Sequence, residues 1–145
     1  MTLLVRECRD DDERAAVNAR YAAADVRFAT TAPTDVQLVA HVDGVRVGMG
    51  RIVDFGDGHC ELGGIYVELA ARKHGAATAI VRALLERRGT RVMWCVPFSG
   101  LTAWYLTFGM ERVDAAAAWH AKVAAKVDDC RARGLWPVDV LRVIG

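Results

Sequence analysis

Arg72-Lys73-His74-Gly75-Ala76-Ala77 lies between a strand-like run ending Ile65-Tyr66-Val67 and a helix-like run over residues 78–86. A strand that passes through a short turn of small residues into a helix aims unpaired backbone N–H groups at one point in space. The positive end of the helix dipole points there too. Phosphate or pyrophosphate is the ligand such a point takes. Arg72 and Lys73 add charge for an anion; at an ordinary helix start the same residues would oppose the dipole. His74 is read either as a solvent-facing residue or as part of the same cradle. Proton chemistry has separate candidates. Glu61 stands on the strand leading to the turn, and Tyr105 stands in a short aromatic-rich helix. His59, two residues before Glu61, shares its strand face, and His120 is a more remote third base.

These groups need elements to hold them. Residues 2–7 read as a first strand. Asp10, Asp11, Asp12 and Glu13 crowd the start of a helix, with Asp10-x-x-Glu13 in the pattern of a capping box. Val17, Tyr21 and Ala24 give that helix one apolar face. Residues 30–35, with Pro33, read as a loop. Residues 37–42 and 45–53 form a hairpin about Asp43-Gly44, the dipeptide a type I′ turn favours. A turn at Gly56-Asp57-Gly58 leads into a strand over residues 59–67. Gly63-Gly64 in mid-strand marks a bulge or a close backbone approach.

Beyond the basic turn, Ala77, Ile80, Val81, Leu84 and Leu85 share one face of a helix that Gly89 stops. Residues 91–96 make a strand ending at Pro97. Leu101, Trp104, Tyr105 and Phe108 recur at helical spacing and stop at Gly109. Residues 110–113 suit a short strand. Trp119, Val123, Val127 and Cys130 line one face of a further helix ending near Gly134, and residues 138–144 alternate as a last strand. Three antiparallel strands precede the turn, so the class is α/β with a mixed central sheet.

The chain has 145 residues, 53% apolar and 26% charged, which fits one domain over residues 1–145 with a full core. The formal net charge of +1 excludes a basic field for bulk nucleic acid. Cys8, Cys60, Cys95 and Cys130 are far apart in sequence and are read as reduced thiols. Neither they nor the four histidines show metal-ligand spacing, so no metal is expected. No signal-peptide pattern and no apolar run of about 18 residues is present, so the expectation is a cytoplasmic protein without a membrane partner. Trp94, Trp119 and Trp136 are read as core aromatics, of which Trp119 or Trp136 could line an acceptor slot.

Three features in order resemble the GNAT superfamily of acyltransferases. They are Arg72-x-x-Gly75-x-Ala77 after the strand ending Ile65-Tyr66-Val67, the strand over residues 92–96, and Leu101-Thr-Ala-Trp-Tyr105-Leu-Thr-Phe-Gly109-Met110. The last is similar to the family's aromatic-Tyr-x-x-x-Gly-Phe signature. The resemblance spans residues 39–113. It implies a GNAT-like, mostly antiparallel central sheet flanked by helices, with acetyl-CoA as cosubstrate. By the same resemblance, backbone N–H groups from Arg72 to Ala77 hold the pyrophosphate. Ile65, Tyr66 and Val67 accept the pantetheine like an added strand and supply the oxyanion donor. Tyr105 protonates the departing thiolate, and Glu61 draws the proton from the amine through water. The sequence also departs from the pattern. Lys73 and Ala77 stand where glycine is frequent, Phe98 stands where an asparagine is common (with Ser99 beside it), and an extra C-terminal helix over residues 115–133 lengthens the acceptor half.

The expected activity is transfer of an acetyl group from acetyl-CoA to a primary amine, a small molecule by default, through direct attack in a ternary complex. A Cys nucleophile is the weaker variant, since Cys60 and Cys95 sit within strands. The alternative of another class is a non-catalytic acyl-CoA-binding module, sensory or structural. A nucleotide-phosphate binder of unrelated fold would need alternating strands and helices, which the three antiparallel strands oppose. Charge does not select among acceptors, and homodimerisation is left open.

Overall fold

The computed structural model describes residues 2–98, 100–135 and 138–145. In chain order the elements are β1 (Leu3–Glu7), α1 (Asp11–Ala23), β2 (Val36–Val42), β3 (Val45–Asp54), β4 (His59–Val67), α2 (Ala76–Glu86), β5 (Val92–Cys95), α3 (Thr102–Leu106), β6 (Glu111–Arg112), α4 (Ala121–Ala132) and β7 (Leu141–Val143). The strands order as β1-β2-β3-β4-β5-β7-β6 in a mixed, mostly antiparallel sheet. The chain divides into two compact units, Met1–Asp54 with Leu62–Gly89 and Phe55–Glu61 with Thr90–Gly145.

In the first unit β1 pairs antiparallel with β2, and β2 with β3 through the Asp43-Gly44 turn, both of whose residues have positive φ. Helix α1 starts where its acidic run said it would. The Asp10 carboxylate accepts the Glu13 N–H at 2.8 Å, which is half of a capping box. The other half is replaced: Glu13 turns outward to accept both Arg6 guanidinium nitrogens at 2.7 Å and the Arg9 N–H at 2.8 Å. Val17 and Tyr21 bury against Ala29, Val39 and Met49 as this unit's core. The Tyr21 hydroxyl donates to the Gly64 carbonyl at 2.7 Å, and Gly64 takes φ 64° inside β4. The glycine pair therefore marks both a backbone irregularity and a close approach.

Helix α2 packs on β3 because β3 offers glycine beneath it. A Cβ on Gly50 would lie 2.7 Å from the Ile80 and Ile65 side chains, and one on Gly48 would lie 3.0 Å from the Tyr66 carbonyl. Ile80, Val81 and Leu84 are fully buried, as the periodicity required.

Glu13 supplies a pH prediction. The Arg6 hydrogen bonds, opposed by burial and helped by the Arg9 N–H, hold its carboxyl far below the usual carboxylate range. A depressed folded pKa gives stability that is present above the unfolded value near 4.5 and is lost as pH falls below it. Glu13→Gln should cost about 1–2 kcal/mol at pH 7. It should also flatten the acid limb of urea-unfolding stability from pH 4.5 downward; an unchanged acid limb would show that the Arg6 bridge is immaterial.

In the second unit β5 pairs antiparallel with β7 (Met93↔Val143, Cys95↔Leu141), and β7 with β6. Trp94, Val96, Val113, Val123, Val127 and Val140 form its core. The C-terminal helix exists but starts later than its apolar spacing suggested. The His120 imidazole accepts the Lys122 N–H at 3.1 Å and caps α4, so Trp119 lies outside the helix. Its indole N–H donates instead to the Val113 carbonyl at 2.6 Å. Leu101 likewise precedes α3 and is exposed, leaving Tyr105 as the buried aromatic of that helix. The last strand shortens to Leu141–Val143, with Val138 bridging Phe98. Trp136 and Ser99 lie outside the described residues.

Candidate active site

The anion-binding turn belongs to the first unit. After β4, the Glu68 N–H donates to the Val47 carbonyl at 2.7 Å, and Leu69–Ala71 makes one tight helical turn. Arg72 then folds back, its Nε donating to the Val67 carbonyl at 2.9 Å and its guanidinium lying 5.9 Å from the Tyr66 ring centre. Arg20 of α1 approaches the same ring at 5.4 Å, pairs with Glu68 at 2.6 Å and donates to the Tyr66 hydroxyl at 3.1 Å. The Tyr66 side chain is thus held by Arg20, Arg72 and Glu68. The Arg20 hydrogen bonds pull the Glu68 carboxyl below its ordinary value, with Tyr66 and Arg46 adding to the effect.

The turn itself fits a phosphate. Lys73 and Gly75 both take left-handed backbone, at φ 74° and 82°. For lysine that conformation costs roughly 1–2 kcal/mol, which explains why glycine suits the position. Gly75 is the N-cap of α2, no side chain caps that helix, and its first turn holds no acid. The N–H groups of Ala76, Ala77 and Thr78 therefore have no acceptor within the helix. A Cβ at Gly75 would meet nothing within 4 Å, so the approach to these groups is open. Lys73, His74 and Gly75 are exposed. His74 lines a pocket of about 350 Å³ with Arg46, Glu68 and hairpin valines.

The candidates for proton transfer, Glu61 and Tyr105, belong to the second unit. Glu61 is 8% exposed and accepts from the Lys126 ammonium of α4 at 2.5 Å. Cys95 is buried; burial pushes its thiol up, Glu61 pushes it further, and Lys126 pulls the other way. Tyr105, 6% exposed, is pushed up by burial first and then by Cys95. Lys126, Glu61, Cys95 and Tyr105 therefore lie within electrostatic reach of one another in series. A phenol pushed up by burial stays protonated and can donate but not accept. A buried thiol pushed up in this way is a poor source of thiolate, which weighs against the Cys95 nucleophile variant.

The histidines are less free than the sequence allowed. His59 Nδ1 accepts the Trp94 indole N–H at 3.0 Å, so that nitrogen is engaged inside the protein. His120 gives Nδ1 to the Lys122 N–H and holds Asp57 through Nε2 at 2.7 Å. Phe55 stacks on His120 at 4.6 Å, and His59 lies 4.8 Å from it. Both imidazoles have partners in the second unit, and Glu61 lies there too, held by Lys126.

Sequence reading missed Lys126. Its signal was present: Val123, Lys126 and Cys130 recur at helical spacing, so a cation stood among the buried positions of α4. Among the described residues no three His, Cys, Asp or Glu side chains cluster as metal ligands, and no helix is long and apolar enough to cross a membrane. None of the four cysteines forms a disulfide.

Residues 2–122 match the model of the acetyltransferase (GNAT) family. No curated protein sequence matches the chain. Among solved structures, N-acetylglutamate synthase from Neisseria gonorrhoeae, complexed with coenzyme A and N-acetyl-glutamate, superposes with a TM-score of 0.71 at 12% identity. That match covers 98% of this chain and 35% of the synthase, so the chain spans about a third of that protein. A Mycobacterium tuberculosis protein in complex with CoA gives a TM-score of 0.71 at 16% identity, covering 98% of this chain and 99% of the other. ElaA of Escherichia coli gives 0.69 at 12% identity, covering 97% and 99%. These similarities give the fold, and the family match covers most of the sequence. The chain belongs to the acetyltransferase (GNAT) family, whose enzymes are acyltransferases that use acetyl-CoA.

Proposed function

We propose that this protein transfers an acetyl group from acetyl-CoA to a primary amine by direct attack, with no acyl-enzyme. The observation that carries the reading is that the second unit holds both Glu61, a buried side chain that accepts from the Lys126 ammonium, and Tyr105, a buried phenol that burial pushes up. A carboxyl group that can take a proton and a phenol that can give one are the groups a transfer of this kind needs. Acetyl-CoA supplies an activated acyl carbon and a thiol leaving group. The basic turn from Arg72 to Ala77 supports binding of its pyrophosphate, and the backbone at Ile65, Tyr66 and Val67 is assigned to its pantetheine and to the developing oxyanion.

The remaining steps are proton transfers at named atoms. An acceptor amine is mostly charged at neutral pH, and only its neutral form attacks. Glu61 Oε2 takes the proton from the ammonium. The amine nitrogen bonds to the acyl carbon, the C–S bond breaks, and the Tyr105 hydroxyl delivers its proton to sulfur. The phenolate recovers a proton from the nitrogen, so the products are an N-acetyl amide and a free thiol. The acceptor is assigned as a small molecule.

A second reading, a non-catalytic acyl-CoA-binding module, is favoured by one observation: Glu61 is already engaged by Lys126. Release of free thiol from acetyl-CoA across a panel of amines separates the two readings. Turnover supports the enzyme, and its absence with every amine supports the module. Glu61→Gln should lower kcat/KM by roughly 10²-fold, with the loss greatest below pH 8, where the acceptor is most fully an ammonium. His59→Gln should leave the pH–rate profile in place, because that imidazole is engaged by the Trp94 indole N–H. Overlaid parent and Glu61→Gln profiles would remove Glu61 as the base.

A further inference from the structure

Resting on the assignment of Glu61 as the base, we infer that the acceptor is a free α-amino acid and that Lys126 binds its carboxylate. The pair from which this follows is largely withdrawn from water: the side chains of Lys126 and Glu61 are 16% and 10% exposed, with Nζ and Oε2 at 2.5 Å. Lys126 stands on α4 and its ammonium already holds Glu61 Oε2, so an ammonium that gives its proton to that oxygen has to displace it.

Charge decides which amine can do this. A simple ammonium drawn to Glu61 leaves two cations beside one carboxylate in a site with little solvent, and an uncompensated charge there is strongly disfavoured. An amine that brings its own carboxylate has no such difficulty. Its ammonium replaces Lys126 on Glu61, its carboxylate receives Lys126, and four charges alternate with no net addition. In an α-amino acid the two groups flank one carbon, so a single small molecule spans two side chains that already touch. The flexible stem of lysine lets its ammonium step aside without losing a partner. Polyamines, amino sugars and protein N-termini lack the adjacent carboxylate and are excluded by the same argument. Cys95 and Cys130, which sense both Glu61 and Lys126, are thiols pushed up by burial, and the further charges that Cys130 senses, Asp129 and Arg133, pair with each other at 3.0 Å.

The test uses the intact protein, acetyl-CoA and matched acceptors: amino acids, their carboxamides, and the amines lacking the carboxyl carbon. The parent should favour each acid over its carboxamide by roughly 10- to 100-fold in kcat/KM, the usual worth of a hydrogen bond between charged groups. Lys126→Met should collapse that ratio towards one, whereas Lys126→Arg should keep the acid preferred. CoA-dependent thermal shifts check that each variant is folded, and the comparison on the parent stands without them. Carboxamides or plain amines that react as well as the acids would overturn the inference while leaving the N-acetyltransferase reading intact. Acetylated Lys126 in a peptide map, with no acid preferred, would also overturn it, since the lysine would then be the acceptor. If no amine of any kind reacts, the N-acetyltransferase reading falls and this inference falls with it.

Discussion

Gly75→Asp should abolish the stabilisation that CoA confers on the parent protein. At a CoA concentration 100 times its Kd, binding to the native state alone stabilises by about 2.7 kcal/mol. For a chain of this size that is a rise in Tm of roughly 5–10 °C. The substitution removes the rise through charge. Gly75 is the N-cap of α2, and nothing lies within 4 Å of a Cβ placed there, so an Asp side chain meets no protein atom. It would instead cap the orphan N–H groups of the first turn itself and set a carboxylate where the pyrophosphate must lie. Aspartate and asparagine tolerate left-handed backbone better than other side chains, so φ 82° is a shared and moderate cost for both. Gly75→Asn is therefore the matched control. It has the same shape, cap and strain without the charge, and it should retain part of the CoA shift while the aspartate variant shows none. An aspartate variant with the parent's shift would place the phosphates elsewhere and remove the basis for reading residues 72–77 as the cofactor cradle.

The strand, turn and helix proposed as the cradle were legible in the sequence because their signals are local. Turn, glycine and helix follow one another in the chain, and the carboxylate run of α1 and the Asp43-Gly44 hairpin are equally local signals. The acid–base cluster was only half legible. Tyr105 and Glu61 could be named from spacing and resemblance, but what holds them could not, because their neighbours come from distant segments. Lys126 lies 65 residues beyond Glu61. Trp94 silences His59 across 35 residues, and nothing in an alternating strand announces which ring nitrogen an indole will occupy. The start of α4 was misplaced for the opposite reason. Trp119 fits the apolar spacing, but a local cap at His120 decides where the helix begins, and a histidine is a rare enough cap for its signal to be overlooked. The Arg20–Tyr66–Glu68 brace was likewise invisible, since it joins α1 to the end of β4 through side chains alone.

Tyr105→Phe should lower turnover by roughly 10²-fold or more, up to about 10⁴-fold, while the CoA-dependent thermal shift stays close to that of the parent. The ring is retained, and with it the edge contact to Trp104 at 4.8 Å, so the fold has no reason to loosen. What disappears is one proton at the end of a buried phenol. Burial, reinforced by Cys95, pushes that phenol above its ordinary value near 10. The sign of the pH dependence follows. A raised pKa keeps the acid form populated as pH rises, so loss of the Tyr105 proton gives the parent no falling limb up to about pH 10. Tyr105→Phe should thus shift the whole profile downward without changing its shape, in contrast to Glu61→Gln, whose defect is concentrated below pH 8. The two variants also divide kcat from KM differently. Tyr105 acts on the departing sulfur, so its loss should appear in kcat with the amine KM unchanged. Glu61 meets the acceptor first, so its loss should appear in both. A Tyr105→Phe enzyme with full kcat would return Tyr105 to the role of a core aromatic and leave water to protonate the thiolate. One with normal kcat but no CoA shift would make it a cofactor contact instead of an acid.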